Sequence, residues 1–86
     1  MVYKIRFDKK AKKKLDKFDK AVKGKIISYL EDRIAKDPYA FGSPLVGNFA
    51  GLWRYRVCDY RIVCEIKDNK LIILVVRVGH RSKVYN

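Results

Sequence analysis

LWRYRVCDYRIVCEI, residues 52–66, alternates aromatic or aliphatic residues with arginines on both sides of a Cys58-Asp59 pair. Alternation with a period of two is typical of a strand with one buried face. Two residues between two such runs predict a tight hairpin, with Arg56 opposite Arg61 and Arg54 on the same face. The other face would carry the core side chains of the hairpin: Trp53, Tyr55, Val57, Tyr60, Ile62, Cys64 and Ile66.

The rest of the chain divides into short elements around this hairpin. Apolar residues at helical spacing predict two helices, and Asp37-Pro38 would end the second. The predicted order is a strand over residues 2–7, a helix over 9–18, a helix from about 20, a loop over 37–51, and strands over 52–57, 60–66 and 71–78. This β-α-α-β-β-β order predicts one α+β domain over residues 1–86, in which a helical hairpin packs on one face of a mainly antiparallel sheet.

A second hairpin extends the face that carries the arginines. With Asp68-Asn69 as its loop, Ile66 would lie opposite Leu71 and Arg61 opposite Val76. The residues of the last strand that would join the arginines are Ile72, Leu74, Val76, Val78 and, if the strand continues, His80. Opposed like charges destabilise a strand pair, and a bound phosphate would relieve the repulsion. Arginines that splay into water are the alternative reading.

The charge of the chain indicates a polyanionic partner. Twenty-one basic residues and nine acidic residues give a net charge of +12, and the first predicted helix is rich in lysine. Such an excess favours a nucleic acid, an acidic protein or both as partner. The apolar runs are too short to span a membrane, and the N-terminus does not resemble a signal peptide. We therefore expect a cytoplasmic protein without a membrane partner, whose Cys58 and Cys64 stay reduced.

The residue pattern also limits the chemistry. We find no metal-ligand spacing, no glycine-rich phosphate loop and no Ser/His/Asp arrangement. Metal-free cleavage of RNA remains, in which the 2′-hydroxyl attacks the adjacent phosphorus. Arginines would stabilise the phosphoryl charge, and His80 is the candidate general acid or base. Tyr85 would orient the nucleobase or stack on it. A structural His80 and a Tyr85 that only anchors the C-terminus are the alternatives.

Residues 37–66 and the run VRVGHRSKVY, residues 76–85, make the chain resemble the RelE family of bacterial toxins, within the RelE/ParE superfamily. The resemblance implies a fold similar to microbial RNases and a ribosome-dependent mRNA endonuclease, or mRNA interferase, that needs no cofactor. Its implied partners are the ribosome, mRNA and a cognate acidic antitoxin that wraps around the toxin. The predicted catalytic residues are Arg61, His80, Arg81 and Tyr85, and the predicted RNA phosphate-binding residues are Arg54, Arg56 and Lys83.

Three positions depart from the family pattern. A well-known member has lysines at the positions of Arg54 and Arg56, and arginine is a poorer base, so the proton transfer would pass to His80. Cys58 stands where the family has a glycine, which predicts either a positive φ at Cys58 or another turn type. A ParE-type toxin that poisons DNA gyrase, and a decayed toxin that only binds its antitoxin, remain alternatives.

Overall fold

The computed structural model describes residues 2–80. Within them, five strands form one sheet in the order β1-β5-β4-β3-β2, in which only β1 and β5 run parallel. The strands are β1 (Lys4–Phe7), β2 (Ser43–Pro44), β3 (Trp53–Val57), β4 (Tyr60–Lys67) and β5 (Ile72–His80), and the helices are α1 (Lys9–Asp16) and α2 (Lys20–Tyr29). The predicted α+β fold with a mainly antiparallel sheet is confirmed.

The helices begin and end for local reasons. The Asp8 carboxylate accepts a hydrogen bond from the Lys10 amide at 3.0 Å and so caps α1. After α2 the helix widens into a π-helical turn over Leu30–Ile34, closed by a 2.7 Å bond from the Ala35 amide to the Leu30 carbonyl. The wider turn leaves Leu30 and Ile34 fully buried. No helix within residues 2–80 is both long and apolar enough to cross a membrane.

The core lies between the helices and one face of the sheet, which we call the helix face. The helices contribute Ala11, Leu15, Ile26, Leu30 and Ile34, and the strands contribute Tyr55, Val57, Ile62, Cys64, Ile73, Val75 and Val78. Full burial of one such aliphatic side chain stabilises the fold by about 1.5–3 kcal/mol. Because a chain of this length forms only a thin core, each of these residues contributes a substantial share of its stability.

The loop after the helices is held against β3 by the aromatic residues of the opening stretch. The Tyr55 hydroxyl donates to the Pro38 carbonyl and the Trp53 indole N–H donates to the Phe41 carbonyl, both at 2.7 Å. Gly42 has a φ of +65°, and a Cβ there would collide with the Arg54 carbonyl. This region, predicted to be only loop, contains β2, whose two residues are too few to show an alternating pattern.

The register of the first hairpin is confirmed. Arg56 pairs with Arg61 and Val57 with Tyr60, across the two-residue turn. Cys58 in that turn has a φ of 55°, so the chain adopts the left-handed conformation expected of a glycine position. Cys58 is exposed, Cys64 is buried, and neither forms a disulfide.

The predicted register of the second hairpin is wrong. A 3-10 turn over Asp68–Lys70 and Leu71 at a φ of 53° make a four-residue connection, so Ile66 pairs with Ile73. A β-bulge between Val63 and Cys64 adds one further residue on β5, and Arg61 therefore pairs with Gly79. The longer loop moves the pairing by two residues and preserves the faces, whereas the single extra residue of the bulge exchanges them.

Candidate functional site

The sheet face opposite the helices carries the arginines, and we call it the arginine face. Its central residues form two rows across the strands. One row is Arg56, Arg61 and Gly79, and the other is Arg54, Val63 and Arg77. Glu65 is the only carboxylate among the strand residues of this face. The three arginines predicted from the first hairpin therefore do lie together.

Arg77 is the residue that sequence reasoning missed. An unbroken alternation from Ile73 and Val75 would point Arg77 into the core, but the bulge turns it to the arginine face, where it is exposed. The signal was present in the sequence as two adjacent valines, Val75 and Val76, followed by a charged residue and another valine. Because an unpaired arginine is almost never fully buried, this break in the pattern indicates a bulge.

The arginines of this face lack ionic partners within residues 2–80. Arg54 Nε donates to the Ser43 hydroxyl at 3.0 Å, and Arg56 Nε donates to the Cys58 carbonyl at 3.4 Å. Arg61 Nε is buried and has no hydrogen-bond partner among residues 2–80. A buried donor without a partner costs about 1–3 kcal/mol, so an acceptor that reached Arg61 would remove a defect of the unliganded protein.

The ion pairs of the described chain lie elsewhere. Asp16 contacts Lys23 at 2.6 Å and Lys12 at 3.3 Å, and these hydrogen bonds, chiefly that from Lys23, lower the pKa of the Asp16 carboxyl. The pairs join α1 to the start of α2 and lie at the surface. Acidic side chains thus neutralise part of the helical layer while the arginine face keeps its excess charge.

His80 does not join the arginines, so its predicted placement is wrong. It pairs with Tyr60, on the helix face, and the two rings lie edge to face with their centroids 5.8 Å apart. The ring of Tyr60 in turn lies 4.8 Å from that of Phe18. The bulge that brings Arg77 to the arginine face also places Val78 in the core. It places His80 on the helix face, away from Arg61.

Three other predicted site residues, Arg81, Lys83 and Tyr85, lie outside the described residues. The described residues of the predicted site are therefore Arg54, Arg56 and Arg61, which share the arginine face, and His80, which does not. Within residues 2–80, no three His, Cys, Asp or Glu side chains are grouped in a way that could hold a metal ion.

A second polar cluster fastens the opposite end of the sheet. The hydroxyls of Tyr3 and Tyr39 donate to the two carboxylate oxygens of Asp68, each at 2.6 Å. These hydrogen bonds, first that from Tyr3, lower the pKa of Asp68, and the same carboxylate raises the pKa of Tyr39 to about 12. The cluster ties β1 and the 37–42 loop to the β4–β5 turn. Both hydroxyls and both carboxylate oxygens of this cluster have hydrogen-bond partners, so we interpret the cluster as structural.

Buried titratable groups on the helix face are held neutral. Burial raises the pKa of the Cys64 thiol and, as the largest cause, that of the Tyr55 phenol. A thiol without a thiolate form is a poor nucleophile. Cys64 and Tyr55 therefore supply no nucleophile or base, and what the arginines of the opposite face can supply is charge stabilisation.

Comparisons with known proteins identify the family of the chain. The sequence matches the family of the ParE toxin of type II toxin-antitoxin system, parDE, over residues 5–85. Toxin RelG of Mycobacterium tuberculosis is 27% identical over 85 residues, which cover 99% of this chain and 98% of RelG.

Solved structures show the same fold. A chain of the toxin–antitoxin complex RelBE2 from M. tuberculosis superposes with a TM-score of 0.89 at 25% identity, covering 96% of this chain and 95% of that one. The isolated E. coli RelE toxin superposes with a TM-score of 0.79 at 26% identity, covering 98% and 92%. The chain therefore belongs to the ParE toxin family of type II toxin–antitoxin systems, within the RelE/ParE superfamily.

Proposed function

We propose that this toxin is a ribosome-dependent mRNA endonuclease that cleaves by attack of the substrate's own 2′-hydroxyl and so stops translation. One observation supports the proposal best. Arg61 has a buried Nε without a partner, and it lies opposite Arg56 on a face whose arginines have no carboxylate partner within the described residues. Such an array fits a phosphodiester, since guanidinium groups bind phosphate oxygens in a bidentate manner.

The arginines would act on the charge of the reaction. Attack by the 2′-oxygen on phosphorus forms a cyclic phosphate, and the 5′-oxygen leaves with a proton. The pentacoordinate transition state carries extra negative charge on its phosphoryl oxygens. Arg61 and Arg56 would stabilise that charge, and donors aimed in advance at developing charge are usually the largest catalytic contribution. Arg54 would hold the substrate.

Proton transfer must come from other groups. Arginine stays protonated and cannot act as the base. His80 lies on the helix face, so its position does not support the role that the sequence predicted for it. Among the predicted catalytic residues, Tyr85 then remains as the group that orients or exchanges the proton. Arg81 would add to the charge stabilisation, and Lys83 would be a further phosphate contact.

We also propose a cognate acidic antitoxin as the inhibitor. The similar RelBE2 chain was solved in a toxin–antitoxin complex, and the net charge of +12 favours an acidic partner. Coverage of the arginine face by that partner would remove the unpaired charges from solvent. Co-expression with a short acidic protein encoded next to this chain should restore growth, and failure of every adjacent candidate would contradict this part of the proposal.

The test is induction of the toxin in growing cells, followed by primer extension on a translated message. The wild type should produce breaks in phase with the codons, and Arg61→Ala should reduce them at least about a hundredfold, the usual size of the loss of one charge-stabilising donor. Arg33→Ala is the matched control, because Arg33 is an exposed arginine in the π-helical turn of the helical layer. Absence of breaks from the wild type would overturn the proposal.

Poisoning of DNA gyrase is the second candidate, because the matching family is that of the ParE toxin. The same induced cells separate the two functions. Trapped gyrase–DNA cleavage complexes and an SOS response, with intact messages, would favour the gyrase reading. Codon-phased breaks without trapped complexes would favour mRNA cleavage.

A further inference from the structure

We propose that the arginine face holds two phosphate subsites, and that the second is formed by Arg54 and Arg77 on either side of Val63. This inference rests on the proposed function and deepens it. The Arg56–Arg61 row would take the scissile phosphate, and the Arg54–Arg77 pair would take the neighbouring phosphate of the same single strand.

The β-bulge creates the second subsite. Without it, Arg77 would point to the helix face and Val63 would have an apolar neighbour on β5. With it, Val63 pairs with Arg54 on one side and with Arg77 on the other. Neighbouring strands lie about 4.8 Å apart, so the backbones of the two arginines are separated by about 10 Å across the valine. Side chains as long as arginine can converge on one anion from that separation.

The floor between these two arginines is apolar and closed. Val63 is only 1% exposed although it lies on the face away from the helices. The stems of arginine side chains can cover such a residue while their charged ends stay in water. An anion above Val63 would therefore meet guanidinium groups from both sides, and Glu65, the carboxylate of this face, lies two residues further along β4.

The donors of the second subsite are available. Arg77 is exposed and makes no ion pair or hydrogen bond from its side chain within residues 2–80. Arg54 donates from its Nε to the Ser43 hydroxyl, which fixes the guanidinium plane, and its terminal nitrogens have no partner among residues 2–80. Because a guanidinium has five N–H donors in one plane, its Nε can bind Ser43 while its terminal nitrogens bind an anion.

The spacing of the two rows fits consecutive phosphates. The rows are two residues apart along each strand, which is about 7 Å, and an extended single strand can place one phosphate on each. Gly79 stands opposite Arg61 and has no side chain, so nothing on β5 obstructs the first row. The pair of rows thus predicts a ligand with at least two adjacent phosphodiesters.

The experiment compares ligands with one and two phosphodiesters. We would titrate the purified toxin with a 2′-O-methyl dinucleotide and a 2′-O-methyl trinucleotide, both without terminal phosphates and both resistant to attack by a 2′-hydroxyl. The wild type should bind the trinucleotide about tenfold more tightly or better, as expected for one additional charge-assisted contact. Arg77→Ala should lose that gain and keep its affinity for the dinucleotide.

Controls separate the second subsite from net charge and from folding. Arg33→Ala removes the same charge from the helical layer and should keep both affinities. Arg77→Gln tests the guanidinium with less change of volume and should behave as Arg77→Ala does, while urea unfolding of both variants should match the wild type. Arg61→Ala should weaken the dinucleotide instead.

Two results would overturn the inference: a wild type that binds both oligonucleotides equally, or an Arg77→Ala variant that keeps the full trinucleotide gain. Failure of the proposed function is distinguishable from both. Induced cells with intact messages, together with a trinucleotide gain that depends on Arg77, would reject mRNA cleavage and leave a two-phosphate site on the face.

Discussion

The two faces of the β3–β4 hairpin use the same backbone in opposite ways. On the helix face, Tyr55 and Ile62 are at most 1% exposed, and the Tyr55 hydroxyl has a partner on the neighbouring loop. On the arginine face, Arg56 stands directly opposite Arg61, whose buried Nε has no partner in the part of the chain that the structure describes. One face stabilises the fold, and the other keeps donors unpaired at some cost to stability. Substitutions on each face should therefore differ in what they change.

The largest effect on stability should come from the helix face. Ile62→Ala removes a fully buried side chain at the centre of the sheet. The lost burial and the cavity should lower the free energy of unfolding by about 2–5 kcal/mol. Urea denaturation followed by circular dichroism measures this, and a loss below 1 kcal/mol would show that the helix face is not the core that burial indicates.

Tyr55→Phe should have a smaller effect on the same face. The substitution keeps the ring and removes the hydroxyl that donates to the Pro38 carbonyl at 2.7 Å. An acceptor left without its buried donor costs about 1–3 kcal/mol, and the 37–42 loop should exchange its amide hydrogens faster. If amide exchange became faster only in other regions of the variant, the role of Tyr55 in holding this loop would be contradicted.

A paired carboxylate away from both faces should add a modest dependence on pH. The pKa of Asp68 is lowered by hydrogen bonds from Tyr3 and Tyr39. Such a group stabilises the fold above its unfolded pKa of about 3.9, and that stabilisation disappears as the pH falls through the folded pKa. Asp68→Asn should thus be less stable than the wild type at pH 7, by less than the Tyr55→Phe change.

The difference between wild type and Asp68→Asn should shrink as the pH falls from about 4 toward the lowered folded pKa, below which the native carboxyl is protonated too. The pKa of Tyr39 is raised to about 12, so the contribution of Tyr39 to stability depends on pH in the opposite direction. Its contribution holds below the unfolded pKa of about 10 and is lost as the pH rises through 12. Urea unfolding from pH 2 to 7 measures the first effect. A constant difference between the two proteins over that range would contradict it.

The smallest effect on stability should come from the arginine face. Arg56→Ala relieves a like-charge pair across the strands, so the free energy of unfolding should stay within about 0.5 kcal/mol of the wild type or rise slightly. Its activity in the primer-extension assay should nevertheless fall. A variant that is both destabilised and fully active would reverse the comparison between the faces.

The first hairpin was predictable because all its information is local. Period-two alternation on both sides of a two-residue turn specifies which residues pair, and Arg56 opposite Arg61 was confirmed. The left-handed Cys58 was one of two expected outcomes and is the observed one. The two helices followed equally from the spacing of apolar residues, and Leu15, Ile26 and Leu30 lie in the core.

The second hairpin was not predictable by the same counting. Asp68-Asn69 looks like a two-residue turn, but the chain continues through Leu71 in a left-handed conformation before β5 begins. The bulge opposite Val63 and Cys64 then exchanges the faces of the last residues of the strand. A single extra residue has this large an effect because successive side chains of a strand point to opposite faces, so a shift by one residue moves every following side chain to the other face.

The sequence by itself determined the α+β fold, the core positions of the first hairpin and the presence of arginines on one of its faces, because these follow from local periodicity and charge. Only the tertiary structure decided which residues of β5 complete that face. Core packing requires Val78 on the helix side, and the bulge that satisfies this requirement brings Arg77 beside Val63 and takes His80 to Tyr60. Long-range packing, and not local propensity, thus set the composition of the candidate site.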